Sequence, residues 1–329
     1  MRVLRGFEAA KADSFRGPVA ATIGVFDGVH RGHRRILDAL VAWAHEEGGE
    51  AVVVTFDRHP REVLYGEKPA ALASLEHRLV LLARAGVDAV LILPFDEKTA
   101  RTSAEDFVRD VLVSALGARK VLLGANHRFG HGRRGDLALL EKLAPGYGFL
   151  ARQVELEPAD EQGHVVSSTA IRDAIREGRL SDADRMLGHP VTVLGKVVRG
   201  DARGRTLGFP TANLDLEHEA RPPRGVYAAL ASIGVGDEPP PENARRWLAV
   251  VNVGRRPTFH PEAGEDLVEV HLLDYAQGDL YGRLVEVSFL AKLRDEVRFS
   301  GAEALVRQIQ ADVADARRRF GGLVEAPSR

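Results

Sequence analysis

The chain has 329 residues, more than one ordinary hydrophobic core holds, so its length predicts about two domains. Its formal net charge of −2 argues against a surface built for nucleic acid, and the absence of cysteine excludes disulfides and thiolate metal sites. No signal peptide and no membrane-spanning apolar run is visible. We therefore expect a cytoplasmic protein that binds neither nucleic acid nor membrane; no motif specifies an oligomeric state.

The first half alternates β-rich apolar runs with amphipathic helical patterns. The apolar runs fall at 19–26, 51–56, 87–95 and 119–126. The segments between them carry apolar residues at spacings of three and four and have a glycine near each end. This alternation predicts a parallel sheet covered by helices on both faces.

The second half has a different pattern of predicted secondary structure. Two short helices are predicted at 167–178 and 181–188, after which short β runs separated by turns rich in Gly, Pro and charge predict a small antiparallel barrel. A last helical pattern at 301–320 closes the fold. We place the boundary near Gly188, which gives domains at 1–187 and 188–329.

The stretch GVFDGVHRGHRRIL, residues 24–37, places His30 and His33 where the first long apolar run gives way to a helix. Ligands of parallel sheets collect at the carboxyl ends of the strands, where helix N-termini offer unpaired N–H groups to anions. Two imidazoles on one face of a first turn, with Gly32 between them, can hold a phosphate during nucleotidyl transfer. The alternatives are a helix cap beside a solvated histidine, or a metal pair.

A glycine-rich stretch, GKVVRGDARGRTLGFPTANL at 195–214, opens the second domain. Glycines let a loop fold its N–H groups around phosphates, and the three candidates are Gly200, Gly204 and Gly208. Thr211 and Asn213, two residues apart in an extended run, point the same way and offer the hard oxygen ligands that suit Mg²⁺. The alternative is a plain turn and strand start.

Farther along, DLVEVHLLD at 266–274 alternates in polarity. Val268 and Val270 therefore face one side, and Glu269 and His271 face the other. A carboxylate on such a strand is usually solvated. If it points at a substrate, Glu269 is a candidate general base for a hydroxyl that attacks a phosphate.

These motifs resemble those of the bifunctional bacterial riboflavin kinase/FAD synthetases. In the first domain, the resemblance rests on GVFDGVHRGH, GANHRFGHGRRGD and SSTAIR; in the second, it rests on GRTLGFPTAN, RGVYAA, VVNVGRRPTF, VEVHLLD and LYGRLVEVSFLAKLRDE. It implies a Rossmann-like nucleotidyltransferase domain followed by a kinase barrel with a C-terminal helix. The first domain departs from the pattern of many family members at Arg58, His127 and Val165.

The resemblance implies roles for individual residues. In the first domain, the catalytic pair is His30 and His33, and the nucleotide and its phosphates are held by Gly24, Phe26, Gly32, Asn126, Ser168, Thr169 and Arg172. In the second domain, Thr211 and Asn213 serve Mg-ATP, Glu269 is the base and Arg294 lies on the flavin side. Read alone, SSTAIR could be an ordinary helix cap followed by a surface arginine, and Arg294 could be a surface charge.

The implied activity has two steps, both requiring Mg²⁺. ATP phosphorylates riboflavin to FMN, and a second ATP adenylylates FMN to FAD with release of pyrophosphate. One rival is a transferase of the same HxGH class acting on another acceptor, such as a phosphopantetheine adenylyltransferase or a cytidylyltransferase, but the second domain argues against it. The other rival is a flavin-binding protein without turnover, which would be expected to lack His30, His33 or Glu269.

Overall fold

The computed structural model describes residues 1–12, 15–67, 69–155, 166–200, 203–255 and 266–324. The chain divides into two compact units. The sheet unit comprises Met1–Ala71 and Arg78–Ser168, and the barrel unit comprises Leu72–His77 and Thr169–Arg329. The sequence-based domain division at 187/188 stays a prediction. None of the described helices is long and apolar enough to cross a membrane.

The sheet unit contains six strands, and every pairing between neighbours is parallel, as predicted. Their order is β1-β4-β3-β2-β5-β6, so the chain runs from β2 toward one edge and then returns to the other side of β2 with β5. The space outside the carboxyl ends of β2 and β5 is therefore the topological switch point, where such sheets bind ligands. The strands are β1 (Arg2–Arg5), β2 (Val19–Ile23), β3 (Glu50–Phe56), β4 (Ala89–Leu93), β5 (Ala118–Gly124) and β6 (Leu150–Val154).

Helices connect these strands. The helical pattern between the apolar runs at 87–95 and 119–126 forms a helix, but its second part is a π-helix, Val108–Ala115, whose Val108 and Leu112 are buried in the core beside Phe107. The α-helices of this part of the chain are α1 (Phe7–Ala12), α2 (Arg31–His45), α3 (Pro60–Tyr65), α4 (Leu75–Arg84), α5 (Glu97–Ala100), α6 (Ala104–Phe107) and α7 (Leu137–Tyr147), with short 3-10 turns at Asp27–Val29 and His131–Arg133.

The barrel unit is built on six antiparallel strands that close into a ring in the order β10-β11-β8-β7-β12-β9, which confirms the predicted barrel. The final helix, α11 (Ala302–Phe320), buries Ala316 against Val226, Leu230 and Val250. The strands are β7 (Thr192–Val198), β8 (Ala212–Asp215), β9 (Gly225–Ile233), β10 (Arg246–Arg255), β11 (Asp266–Leu272) and β12 (Leu284–Arg294). The remaining helices of the chain are α8 (Ser168–Arg176), α9 (Leu180–Leu187), the one-turn α10 (Arg203–Thr206) and a 3-10 turn at Gly321–Leu323.

Candidate active sites

The HxGH segment forms the connection from β2 to α2. After β2 ends, Phe26 adopts a left-handed conformation with φ 53° and ψ 36°, and its side chain is buried. His30 then takes an extended conformation as the N-cap of α2, and its Nδ1 accepts a hydrogen bond from the backbone N–H of His33 at 3.3 Å. The cap fixes the His30 ring over the first turn of the helix.

The two imidazole rings stack on each other, with centroids 3.6 Å apart and planes inclined by 16°. The ring of Phe26 lies 5.1 Å from that of His33. Among the described residues, the buried Nδ1 of His33 has no hydrogen-bond partner. Burial, with His30, His127 and Arg78 nearby, holds the pKa of His33 well below its usual value. His30 therefore caps the helix, as one alternative supposed, but His33 is a neutral group with a buried ring nitrogen rather than a solvated histidine.

Asn126 and His127 follow β5, the strand beside β2, and so lie at the same edge of the sheet. Asn126 is exposed and has a left-handed φ of 63°. The Nε2 of His127 is buried without a hydrogen-bond partner among the described residues. Burial, with Arg133 nearby, lowers the pKa of His127 to about 4. Because His127 also lowers the pKa of His33, a third imidazole belongs to this site.

Arg78 was not predicted from the sequence. Its side chain is buried, and it donates hydrogen bonds to the carbonyl oxygens of Val25, at 2.7 Å, and Phe56, at 2.8 Å. It thereby ties together the segments at the carboxyl ends of β2 and β3. A usable signal was present, because Arg78 shares a helical face with the buried Leu81 and Leu82 of α4.

The remaining predicted residues of the first domain are placed as follows. A Cβ at Gly24 would approach the ring of Phe26 to 2.8 Å, so the close approach of that ring requires glycine. Gly32 is the half-buried second residue of α2. Three others open α8: Ser168 is its first residue, Thr169 is exposed and Arg172 is half-buried. Arg58 is exposed, and Val165 lies outside the described residues.

In the barrel unit, a cavity of about 410 Å³ brings most of the predicted residues together. Its lining includes the apolar residues Val297, Phe299 and Ile309. Gly208 does not line the cavity; it has a positive φ of 85° in the turn before β8. The predicted residues that line the cavity are Gly200, Gly204, Thr211, Asn213, Glu269 and Arg294.

Two glycines of the loop pack directly against the predicted metal ligands. A Cβ at Gly200 would overlap Nδ2 of Asn213. A Cβ at Gly204 would lie 3.1 Å from Oγ1 of Thr211 and would overlap the carbonyl oxygen of Phe209. Glycine at these positions therefore lets the loop lie against the two oxygen-bearing side chains.

Glu269 lies between two asparagines in the barrel ladder. It pairs in register with Asn213 of β8 on one side and with Asn252 of β10 on the other. Nδ2 of Asn252 donates a hydrogen bond to Oε2 of Glu269 at 3.4 Å. The predicted alternation of β11 is confirmed, since Val268 and Val270 are buried and Glu269 lines the cavity. Asn252 was missed, although a polar residue inside the apolar run WLAVVNVG was a signal.

Arg294 is held in place by the final helix. Its Nε and Nη2 donate three hydrogen bonds of 2.8–3.0 Å to the carboxylate of Asp312, which is only 5% exposed. Gln308 also donates to Asp312, at 2.9 Å. Arg294 is thus an anchored cation at the cavity wall rather than a solvated surface charge, while its flavin-side role stays a prediction.

A second charged cluster of the barrel unit is fully buried and lies outside the cavity lining. Nδ1 of His77 lies 3.2 Å from Glu219, and Nε2 lies 3.4 Å from Glu286. Glu219 also accepts backbone N–H bonds from Ser74 and Leu194. Burial alone would lower the pKa of His77, but the two carboxylates outweigh that effect and raise it to about 9.

Two family models match the chain in succession. The model described as FAD synthetase matches residues 13–170, and the model described as riboflavin kinase matches residues 187–320. The chain thus combines a nucleotidyltransferase half with a kinase half. It belongs to the bifunctional riboflavin kinase/FMN adenylyltransferase family.

Full-length relatives support this placement. The Escherichia coli K12 protein of that description is 41% identical over 323 residues, which cover 98% of each chain. The Haemophilus influenzae protein of the same description is 36% identical over 321 residues, covering 97% of this chain and 99% of the relative. A crystal structure from Streptococcus pneumoniae, described as a macrolide-efflux protein, has a TM-score of 0.77 and 30% identity, and covers 96% of this chain and 99% of its own. Its likeness supports the fold.

Proposed function

We propose that each unit holds one of two sites that act in sequence. Membership in the family assigns the chain a riboflavin kinase and an FMN adenylyltransferase activity, with ATP, riboflavin, FMN and FAD as substrates and products. The kinase site is the cavity of the barrel unit. The adenylyltransferase site is the HxGH turn of the sheet unit.

In the kinase step, the primary hydroxyl of the ribityl chain attacks the γ-phosphorus of ATP, and ADP leaves. Glu269 accepts the hydroxyl proton, which a carboxylate facing the cavity can do. Thr211 and Asn213 would hold Mg²⁺ together with the phosphates, because both residues line the same cavity and carry hard oxygen atoms, a hydroxyl and an amide oxygen. Bound Mg²⁺ would supply neutralisation of the phosphate charge.

In the adenylyl step, a phosphate oxygen of FMN attacks the α-phosphorus of ATP, and the bond to the β-phosphate breaks to release pyrophosphate. His30 and His33 stabilise the charge that spreads over the reacting phosphate. Ser168, the last residue of the sheet unit, would supply a hydroxyl donor to the other phosphates. The roles of Thr169 and Arg172, which belong to the barrel unit, stay predictions. Positioning and charge stabilisation carry the step, so no covalent enzyme intermediate is needed.

The observation that carries this assignment is that Glu269, Thr211 and Asn213 line one cavity beside the glycine loop. The test is incubation of the chain with riboflavin, ATP and Mg²⁺, followed by chromatography of the flavins. FMN should appear first and FAD should follow, and a chelator should stop both. Unchanged riboflavin would reject the assignment.

We also propose that the enzyme works in the cytoplasm, because both steps consume ATP and the cysteine-free chain suits a reducing compartment. Only small molecules are required as partners. The domain division is proposed at 187/188.

A further inference from the structure

We propose that Asn252 is a positioning residue of the kinase step, acting through the carboxylate of Glu269. The inference rests on the proposed role of Glu269 as general base. It assigns to Asn252 the orientation of that carboxylate.

The barrel ladder sets Asn252 and Glu269 beside each other. They are register partners on the antiparallel strands β10 and β11, so their side chains project from the same face, and both line the cavity. The 3.4 Å bond from Asn252 Nδ2 to Glu269 Oε2 is long for an N–H···O contact. It orients the carboxylate without a strong ion pair that would compete with the substrate proton.

The surroundings of Asn252 explain why a donor is needed there. A Cβ at Gly254 would lie 3.2 Å from Asn252 Nδ2 and would overlap Oε1 of Glu296. The amide of Asn252 and the carboxylate of Glu296 therefore both lie beside the Cα of Gly254. Glu296 lines the same cavity as Glu269. A donor from Asn252 holds the carboxylate of Glu269 in one orientation beside this second carboxylate. An amide donor does this without titrating itself.

The experiment compares two substitutions that keep the size of the side chain. Asn252→Leu removes the donor, and Asn252→Asp replaces it with a further negative charge. Riboflavin kinase kcat and both KM values are measured, and conversion of supplied FMN to FAD in the same preparation reports an intact chain. Ser288→Ala is the matched control, since Ser288 is a half-buried polar residue of β12 outside the cavity lining.

We expect Asn252→Leu to lower the kinase kcat about tenfold, with KM values within about twofold. Asn252→Asp, which places a second carboxylate beside Glu269, should lower kcat farther, and Ser288→Ala should leave kcat and both KM values unchanged. An unchanged kcat in both Asn252 variants, or a rise in KM alone, overturns the proposal.

A double-mutant cycle separates this proposal from the assignment of Glu269. If Asn252 acts through Glu269, Asn252→Leu should cause little further loss of kcat in a Glu269→Gln background. Equal losses in both backgrounds overturn the positioning role. If Glu269→Gln alone keeps the parent kcat, the proposed base itself is wrong.

Discussion

His30 and His33 make two contacts with each other: their rings stack with centroids 3.6 Å apart, and Nδ1 of His30 accepts a hydrogen bond from the backbone N–H of His33. His30 therefore caps α2, and its ring is also part of the proposed phosphate site. These two contributions can be separated experimentally, because asparagine caps helices well and has no imidazole.

We predict that His30→Ala and His30→Asn both lower FAD formation from FMN by about 100- to 1,000-fold, the usual cost of one charge-stabilising donor. Only His30→Ala should also lose about 1 kcal/mol of cap stability. Steady-state assays and urea unfolding measure the two effects. Kinase activity is the internal control; loss of FMN formation in His30→Asn would contradict the assignment.

Gly200→Ala should inactivate the kinase selectively. The added Cβ would overlap Nδ2 of Asn213, the proposed metal ligand. Displacing such a side chain by about 1 Å can cost on the order of 100-fold in rate. Gly301→Ala is the matched control, because a Cβ there would meet no heavy atom within 4 Å. FMN formation and FAD formation are assayed separately. Parent-like kinase activity in Gly200→Ala would show that the loop does not need to lie against Asn213.

Acid should destabilise the sheet unit through its buried imidazoles. The pKa of His127 is lowered to about 4 in the folded chain. Between pH 6.5 and 4, the unfolded chain therefore binds a proton at this histidine and the folded chain does not. The stabilisation is present above about pH 6.5 and is lost as pH falls toward 4. His127→Phe should flatten this dependence.

The chain has two tryptophans, and Trp43 lies in the sheet unit. Urea unfolding followed by Trp43 fluorescence in a Trp247→Phe background should therefore show the acid effect. If His127→Phe leaves the slope of stability against pH between 6.5 and 4 unchanged, His127 is not a buried neutral group.

The barrel unit should show the opposite dependence. The pKa of His77 is raised to about 9 by Glu219 and Glu286, so its stabilisation is complete below pH 6.5 and is lost as pH rises through 9. Trp247 fluorescence in a Trp43→Phe background reports this unit. His77→Gln should remove the loss of stability between pH 7 and 9.5; a loss that persists in that variant would assign it to another group.

The sequence predicted the architecture because its periodicities are strong. Val19–Ile23 and the other buried parallel strands form continuous apolar runs, and β11 alternates cleanly. The missed elements carry weaker patterns: Arg2–Arg5 has only four residues and is partly exposed, and Leu137–Tyr147 contains Pro145. A proline inside a helical pattern argues against a helix, and here tertiary packing of the buried Leu140 overrides it.

The sequence predicted the candidate residues whose side-chain chemistry is itself a signal, such as His30, His33 and Glu269. It did not predict Arg78, which hydrogen-bonds to two carbonyl oxygens, or Asn252, which hydrogen-bonds to a carboxylate. Only folding brings these partners close, and spacing along the chain does not encode such contacts.

The most direct test of two separate sites is a mixture of two full-length variants, each of which has lost one of the two activities. His33→Ala should make FMN and stop, and Glu269→Gln should convert supplied FMN to FAD while leaving riboflavin unchanged. Chromatography of a mixture given riboflavin, ATP and Mg²⁺ should then show FAD after a lag that shortens as protein concentration rises, because FMN passes through solvent. If either variant loses both steps, or if the mixture accumulates FMN without FAD, the assignment of one step to each unit is contradicted.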